Sequence, residues 1–165
     1  MFEQLIAHHD WRWIAPAALI CALGLATALH LLSAARTQVG HRRHATGMLS
    51  ALTGAMAVFV THFASMQGMH WTGSARYDIP LTLLSFCAIA VCTSVATVLI
   101  LRRDSRWHRI GAGALAFFGL AAMHFIGFAA LILPGHLAFD PTAVGVSVGL
   151  GLLLAVGTAG FVFGP

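Results

Sequence analysis

Apolar residues gather in five long runs, at 13–33, 46–66, 79–101, 110–133 and 143–163, separated by short stretches that hold nearly all the charge. Each run reaches the about 20 residues that an α-helix needs to cross a hydrocarbon layer about 30 Å thick. Within a run the apolar side chains recur almost all round and not on one stripe, so each helix is packed or lipid-facing over its whole circumference. The pattern predicts an all-α fold, a polytopic transmembrane helix bundle of five spans. The first run exceeds the about 7 to 15 residues of a signal-peptide centre, and Glu3 and Asp10 precede it in place of basic residues, so it is read as a true span.

Composition agrees with that reading: 59% of the residues are apolar, 8% are charged and the mean hydropathy is +0.86. Too little polar surface is available to coat a water-soluble globule. The formal charge of +4 does not point to nucleic acid, because the arginines form no continuous or aromatic-interleaved stripe. Arg36, Arg42 and Arg43 lie between the first two runs, and Arg102, Arg103, Arg106 and Arg109 between the third and fourth. The alternate connections hold Arg76 with Asp78, and then Asp140 with no basic residue. By the positive-inside rule this places the amino terminus outside and Phe163 at the cytoplasmic side. Cys21, Cys87 and Cys92 form neither a disulfide framework nor a CxxC metal site.

Shifting the chain by 62 residues lays His124-Phe125 on His62-Phe63 and Phe139-Asp140 on Tyr77-Asp78. One domain, 1–165, thus contains two units of about 40–101 and 102–163, each a basic connection, a span ending in histidine, an outer loop closing on aromatic-Asp, and a second span. A third unit would begin near the end of the chain, and the expectation is a fragment of a larger protein. Gly111, Gly113 and Gly119 in the fourth run, and Gly145 with Gly149 in the fifth, predict close helix contact.

The repeat sets His62 and His124 at matching depth near the outer ends of two spans, where an ionisable group is expensive unless it faces the bundle interior and is paired. Met66 is one helical turn from His62 on the same face, and Met123 adjoins His124. Imidazole with thioether suits copper, Cu(I) above all, and suits Mg or Ca badly. His62, Met66, Met123 and His124 are therefore the candidate metal ligands. His70 would share the His62 face if the helix continued through Gly68, and otherwise belongs to an outer loop. His8 and His9 would cap the first span with Asp10 or approach the metal from outside. His30 sits near the inner end of the first run; His41, His44 and His108 lie among arginines in cytoplasmic loops and His136 in an outer loop, all four solvated.

Val60-Thr61-His62-Phe63-Ala64-Ser65-Met66 and Met123-His124-Phe125-Ile126-Gly127-Phe128 resemble the motifs W-x-T-H-F-x-x-M and M-H-Y-T-G-M of the MHYT family of bacterial integral membrane sensor domains. The likeness extends to residues 77–85 and to His9-Asp10. It implies three motifs over about seven spans, so that the third would lie beyond Pro165, a length consistent with about 20 residues per span. Phe125-Ile126 replaces Tyr-Thr, and Phe128 stands where the family often has methionine, so a site that uses that sulfur is poorer by one ligand here or turns to Met123. The resemblance also implies copper, a diatomic gas (oxygen, CO or NO) as ligand, the bacterial inner membrane as location, and a cytoplasmic output such as a cyclic-di-GMP enzyme or a histidine kinase.

These readings make the chain a non-enzymatic signal-input domain that senses a gas or redox state through the metal; no GGDEF-like or kinase-like stretch is present. A haem-binding electron-transfer protein is the alternative, with the histidines as axial ligands and Trp71 and Phe125 lining the pocket. Solute transport ranks last, since the spans carry no Asp or Glu and no sign of discontinuous helices.

Overall fold

The computed structural model describes residues 10–69, 76–102, 105–132 and 140–162. Five helices make up almost all of it: α1 (Trp11–Thr37), α2 (Gly40–Gln67), α3 (Ile79–Arg102), α4 (Arg106–Ala129) and α5 (Pro141–Val162), with the two-residue strands β1 (Arg76–Tyr77) and β2 (Leu131–Ile132). All five are long and apolar enough to cross a membrane. The fold is the expected all-α multi-pass bundle.

Sequential neighbours pack most closely, α1 on α2 and α3 on α4, then α2 on α3 and α4 on α5, while α2 and α4 touch at few places. Lipid-facing helices gain little from burying apolar area against one another, so small residues and hydroxyl groups carry the contacts. Gly24 faces Ala57, Gly47 faces Leu101 and Thr97, Gly119 faces Cys92 and Gly113 faces Ala155 and Ala159. Hydroxyls cross between helices to carbonyls that the helices already use: Ser50 Oγ donates to Ala28 O at 2.6 Å, Thr61 Oγ1 to Ala17 O at 3.2 Å and Thr93 Oγ1 to Ala51 O at 3.3 Å.

Three expectations need correction. The fourth span stops at Ala129, short of residue 133, because Leu131–Ile132 leave the helix to pair antiparallel with Arg76–Tyr77. Gly111, Gly145 and Gly149 meet nothing within 4 Å where a Cβ would stand, so the close contacts fall to Gly113, Gly119 and Gly151, the last against Phe117. The helices also run past the apolar runs into the arginine-bearing stretches. His41 and His44 are therefore on the first turn of α2, and His108, half-buried, is on that of α4 with Ser105 Oγ at 2.6 Å from its Nδ1. Arg109, expected in a loop, is buried.

The turns are encoded locally. Only two residues separate α1 from α2, and the chain reverses through Gly40 at φ +62°, a conformation that costs glycine little. The aspartate of the repeated aromatic-Asp pair starts helices: Asp78 Oδ1 accepts from Leu81 N at 2.9 Å, and Asp140 Oδ1 from Thr142 N at 2.8 Å. Asp10 does the same for α1, accepting from Arg12 N at 2.9 Å. Its own amide donates to Gly68 O at 2.8 Å, which ties the start of α1 to the end of α2.

Candidate metal centre

α2 and α4 each begin at an arginine-bearing turn and rise in the same direction, so residues at equal distance along them arrive at equal height. On α2 a helical stripe places Ala55, Phe59, His62 and Met66 on one face. His62 and Met66 are both buried, at 9% and 2% exposure. On α4, Met123 and Gly127 share the buried face, and His124 and Phe128 stand on the shoulder beside it.

The two imidazoles meet where these helices touch. Their ring centres are 4.9 Å apart with the planes at 60°. Phe128 lies edge-on to both, 5.6 Å from His62 and 4.8 Å from His124. Phe63 contacts the His62 ring at 5.1 Å and the Tyr77 ring at 5.4 Å, linking the pair to the β1–β2 bridge. Tyr77 sits outside the spans; burial pushes its hydroxyl above the ordinary phenol value of 10.0.

Gly127 creates the space for His62. A methyl group at this position would stand 2.6 Å from His62 Nε2 and 3.0 Å from its Cδ2, so any side chain would displace the ring. Gly127 belongs to the second motif, whose residue types alone assign it no role. The signal was there as a glycine three residues after the motif histidine; it shares the buried face of α4 with Gly113, Gly119 and Met123. Phe128, read only as a missing methionine, is the wall of the site.

The donors fit a soft metal. His62 Nε2 is buried without a hydrogen-bond partner, an expensive state for a polar atom inside a membrane unless something else occupies it. Two imidazoles on one ion, each nitrogen about 2 Å from it, hold their ring centres within about 6.5 Å, and this pair meets that bound. Among the described residues no group of three or more His, Cys, Asp or Glu gathers as a hard or zinc-type site would require. Met66 shares the His62 face. Met123 lies one layer deeper, in an apolar cluster with Ala55 and Ile89 and against Phe59 and Val58, which precede His62 by about one turn.

The remaining histidines separate from this pair. α2 ends at Gln67 with Gly68 as its cap, so the continuation that would carry His70 onto the His62 face does not occur. His70 itself, with His8, His9, Trp71 and His136, lies outside the described residues. His30 is exposed toward the other end of α1. All three cysteines are free.

Residues 56–113 and 118–165 match MHYT, described as a bacterial signalling protein N-terminal repeat. The chain belongs to the MHYT family. The two matched stretches of this MHYT domain start at 56 and 118, and 118 less 56 is the same 62 that carries His62 onto His124. An uncharacterized signaling protein of Caulobacter vibrioides is 30% identical over 94% of the domain. Two proteins of Pseudomonas aeruginosa, the bifunctional diguanylate cyclase/cyclic di-GMP phosphodiesterase MucR and the cyclic di-GMP phosphodiesterase NbdA, are each 30% identical over 88% of it. The MHYT domain spans only 20%, 21% and 18% of these three relatives respectively. No solved structure matches it. It is thus a multi-pass signalling domain related to a minor part of larger signalling proteins.

Proposed function

We propose that this MHYT domain is the signal-input module of a bacterial inner-membrane protein and senses oxygen, CO, NO or redox state through a copper ion. His62 and His124 hold the ion, with sulfur from Met66 and, by movement of its flexible side chain, Met123. Copper when bound supplies a centre that takes a diatomic ligand or changes oxidation state. The protein's own residues orient the imidazoles, exclude water through Phe63 and Phe128, and couple the pair to the rest of the bundle. The positive-inside rule puts the site near the outer face, where it meets gas and periplasmic copper, and puts the arginine-bearing ends in the cytoplasm. The catalytic step belongs to an output module there, a cyclic-di-GMP enzyme by analogy with MucR and NbdA, or a histidine kinase.

The observation that carries this reading is the 4.9 Å pairing of two imidazoles with the buried His62 Nε2 unpartnered. The haem alternative asks for rings on opposite faces of one iron, with centres about 6.4 Å apart for metal–nitrogen bonds of about 2 Å. The shorter observed separation favours a shared ion.

Metal analysis of the detergent-purified protein tests it. Stoichiometric copper is expected in the native chain and in His30→Ala, and its loss in His62→Ala and in His124→Ala. Equal copper in all four proteins would exclude the site. An intense Soret band without copper would reassign it to haem.

A further inference from the structure

Among the described residues, the end of the bundle away from the imidazoles carries Arg36, Arg42, Arg43, Arg102, Arg106 and Arg109, and Asp104 is the one carboxylate in those stretches of sequence. Between α2 and α3 at this end is a cavity of about 230 Å³ lined by Arg43, His44, Val98, Leu101 and Arg102. Arg43 donates through Nη2 to the Leu101 carbonyl near the end of α3, which fixes the guanidinium in the cavity and leaves it other N–H groups to offer. His44 donates through Nδ1 to Gly40 O at 3.1 Å, holding its ring against the start of α2. That first turn has no side-chain cap, so its backbone amides and the helix dipole add to the positive potential at this end of α2.

The cavity continues into an aliphatic track. On α3, Arg102, Val98, Val95, Val91 and Leu84 fall within a narrow sector of the helical wheel. Leu84, Val91 and Val95 are exposed, at 53%, 61% and 46%. From Arg102 to Val91 the helix rises about 16 Å, close to the about 15 Å of hydrocarbon in a single leaflet. A cationic cup at the head of an aliphatic stripe one leaflet deep matches the shape and charge of a phospholipid.

We propose that this cavity binds the phosphate of an anionic phospholipid, with Arg43, Arg102 and His44 around the headgroup and an acyl chain along Val98, Val95 and Val91. A water-soluble phosphate would use the cup and leave the track empty. An acidic protein segment would gain nothing from aliphatic residues at membrane depth. Basic pockets between membrane helices attract anionic headgroups by the same balance of charge and burial.

Native mass spectrometry of the protein in detergent, titrated with phosphatidylglycerol or phosphatidylcholine, tests the site. Retention of phosphatidylglycerol well above phosphatidylcholine is expected, with a loss of about fivefold for each arginine neutralised in Arg43→Gln/Arg102→Gln, from the usual attraction per charge near a lipid surface. Arg76→Gln, at the other end of the bundle, is expected to leave retention unchanged. Arg102→Gln alone keeps the Arg43–Leu101 bond, so it serves if the double variant fails to fold; its expected loss is about fivefold. Equal retention of the two lipids by the native chain, or an undiminished preference in Arg102→Gln, would overturn the proposal. So would equally tight binding of glycerophosphoglycerol, the headgroup without chains, or displacement of the lipid by an oligoglutamate peptide.

Discussion

His62 and His124 are equivalents in the repeat and stand at one height, yet their surroundings differ. His62 is buried with Nε2 unpartnered, while His124 is exposed on the shoulder of its helix. The residues that follow explain the difference. Where the first unit has Ser65, whose hydroxyl turns back to His62 O at 2.8 Å, the second has Gly127, whose missing side chain admits the His62 ring. Where the first unit has the thioether of Met66, the second has the ring of Phe128, which touches both imidazoles. Duplication supplied two imidazoles; divergence gave one unit sulfur and the other the space and wall. The lesson is that equal sequence position fixes depth, whereas neighbouring volumes fix environment.

Gly127→Leu attacks the difference most directly. Its side chain overlaps the His62 ring, and overpacking at such a contact costs about 1–3 kcal/mol; both copper and thermal stability in detergent are expected to fall. Ser65→Ala, at the equivalent position, is expected to change neither, because its hydroxyl bonds only within its own helix. Equal effects of the two would mean that the units are interchangeable.

Histidine removal sharpens the contrast further. Both His62→Ala and His124→Ala are expected to lose the metal, but in metal-free protein only His62→Ala should alter stability appreciably, by about 1–2 kcal/mol of either sign, as its lost packing competes with relief of an unpartnered polar atom. His124→Ala, at an exposed position, should stay within about 0.5 kcal/mol. Melting curves of chelated samples decide the matter.

Phe128→Met would return sulfur to a place in contact with both rings, and tighter Cu(I) retention in a chelator competition is the expected result. Unchanged retention would show that the second unit contributes imidazole alone. The smallest effect concerns Tyr77, the chain's single tyrosine, which packs on Phe63 above the pair. Because burial raises its folded-state value above 10.0, its contribution is fully present below about pH 10 and is lost as pH rises beyond it, when the unfolded chain ionises first. The melting temperature of the native chain should therefore decline more steeply above pH 10 than that of Tyr77→Phe.

The five helices were legible in the sequence because a bilayer imposes one length and one polarity on whatever crosses it, and the runs satisfy both. The 62-residue shift fixed which histidines share a height, since periodicity along parallel helices translates directly into depth. Boundaries were less legible: nothing in the composition of residues 130–133 distinguishes continued helix from a strand that pairs with Arg76–Tyr77 across the loops. Nor could the sequence tell Gly113, packed on Ala155, from Gly111, which meets no neighbour, because a glycine's use depends on the helix rotation that faces it. The approach of the His62 and His124 rings belongs to the same class. Height is a property of one chain segment and its solvent, but azimuth and lateral distance are set by how several helices interdigitate, and only the packed bundle decides them.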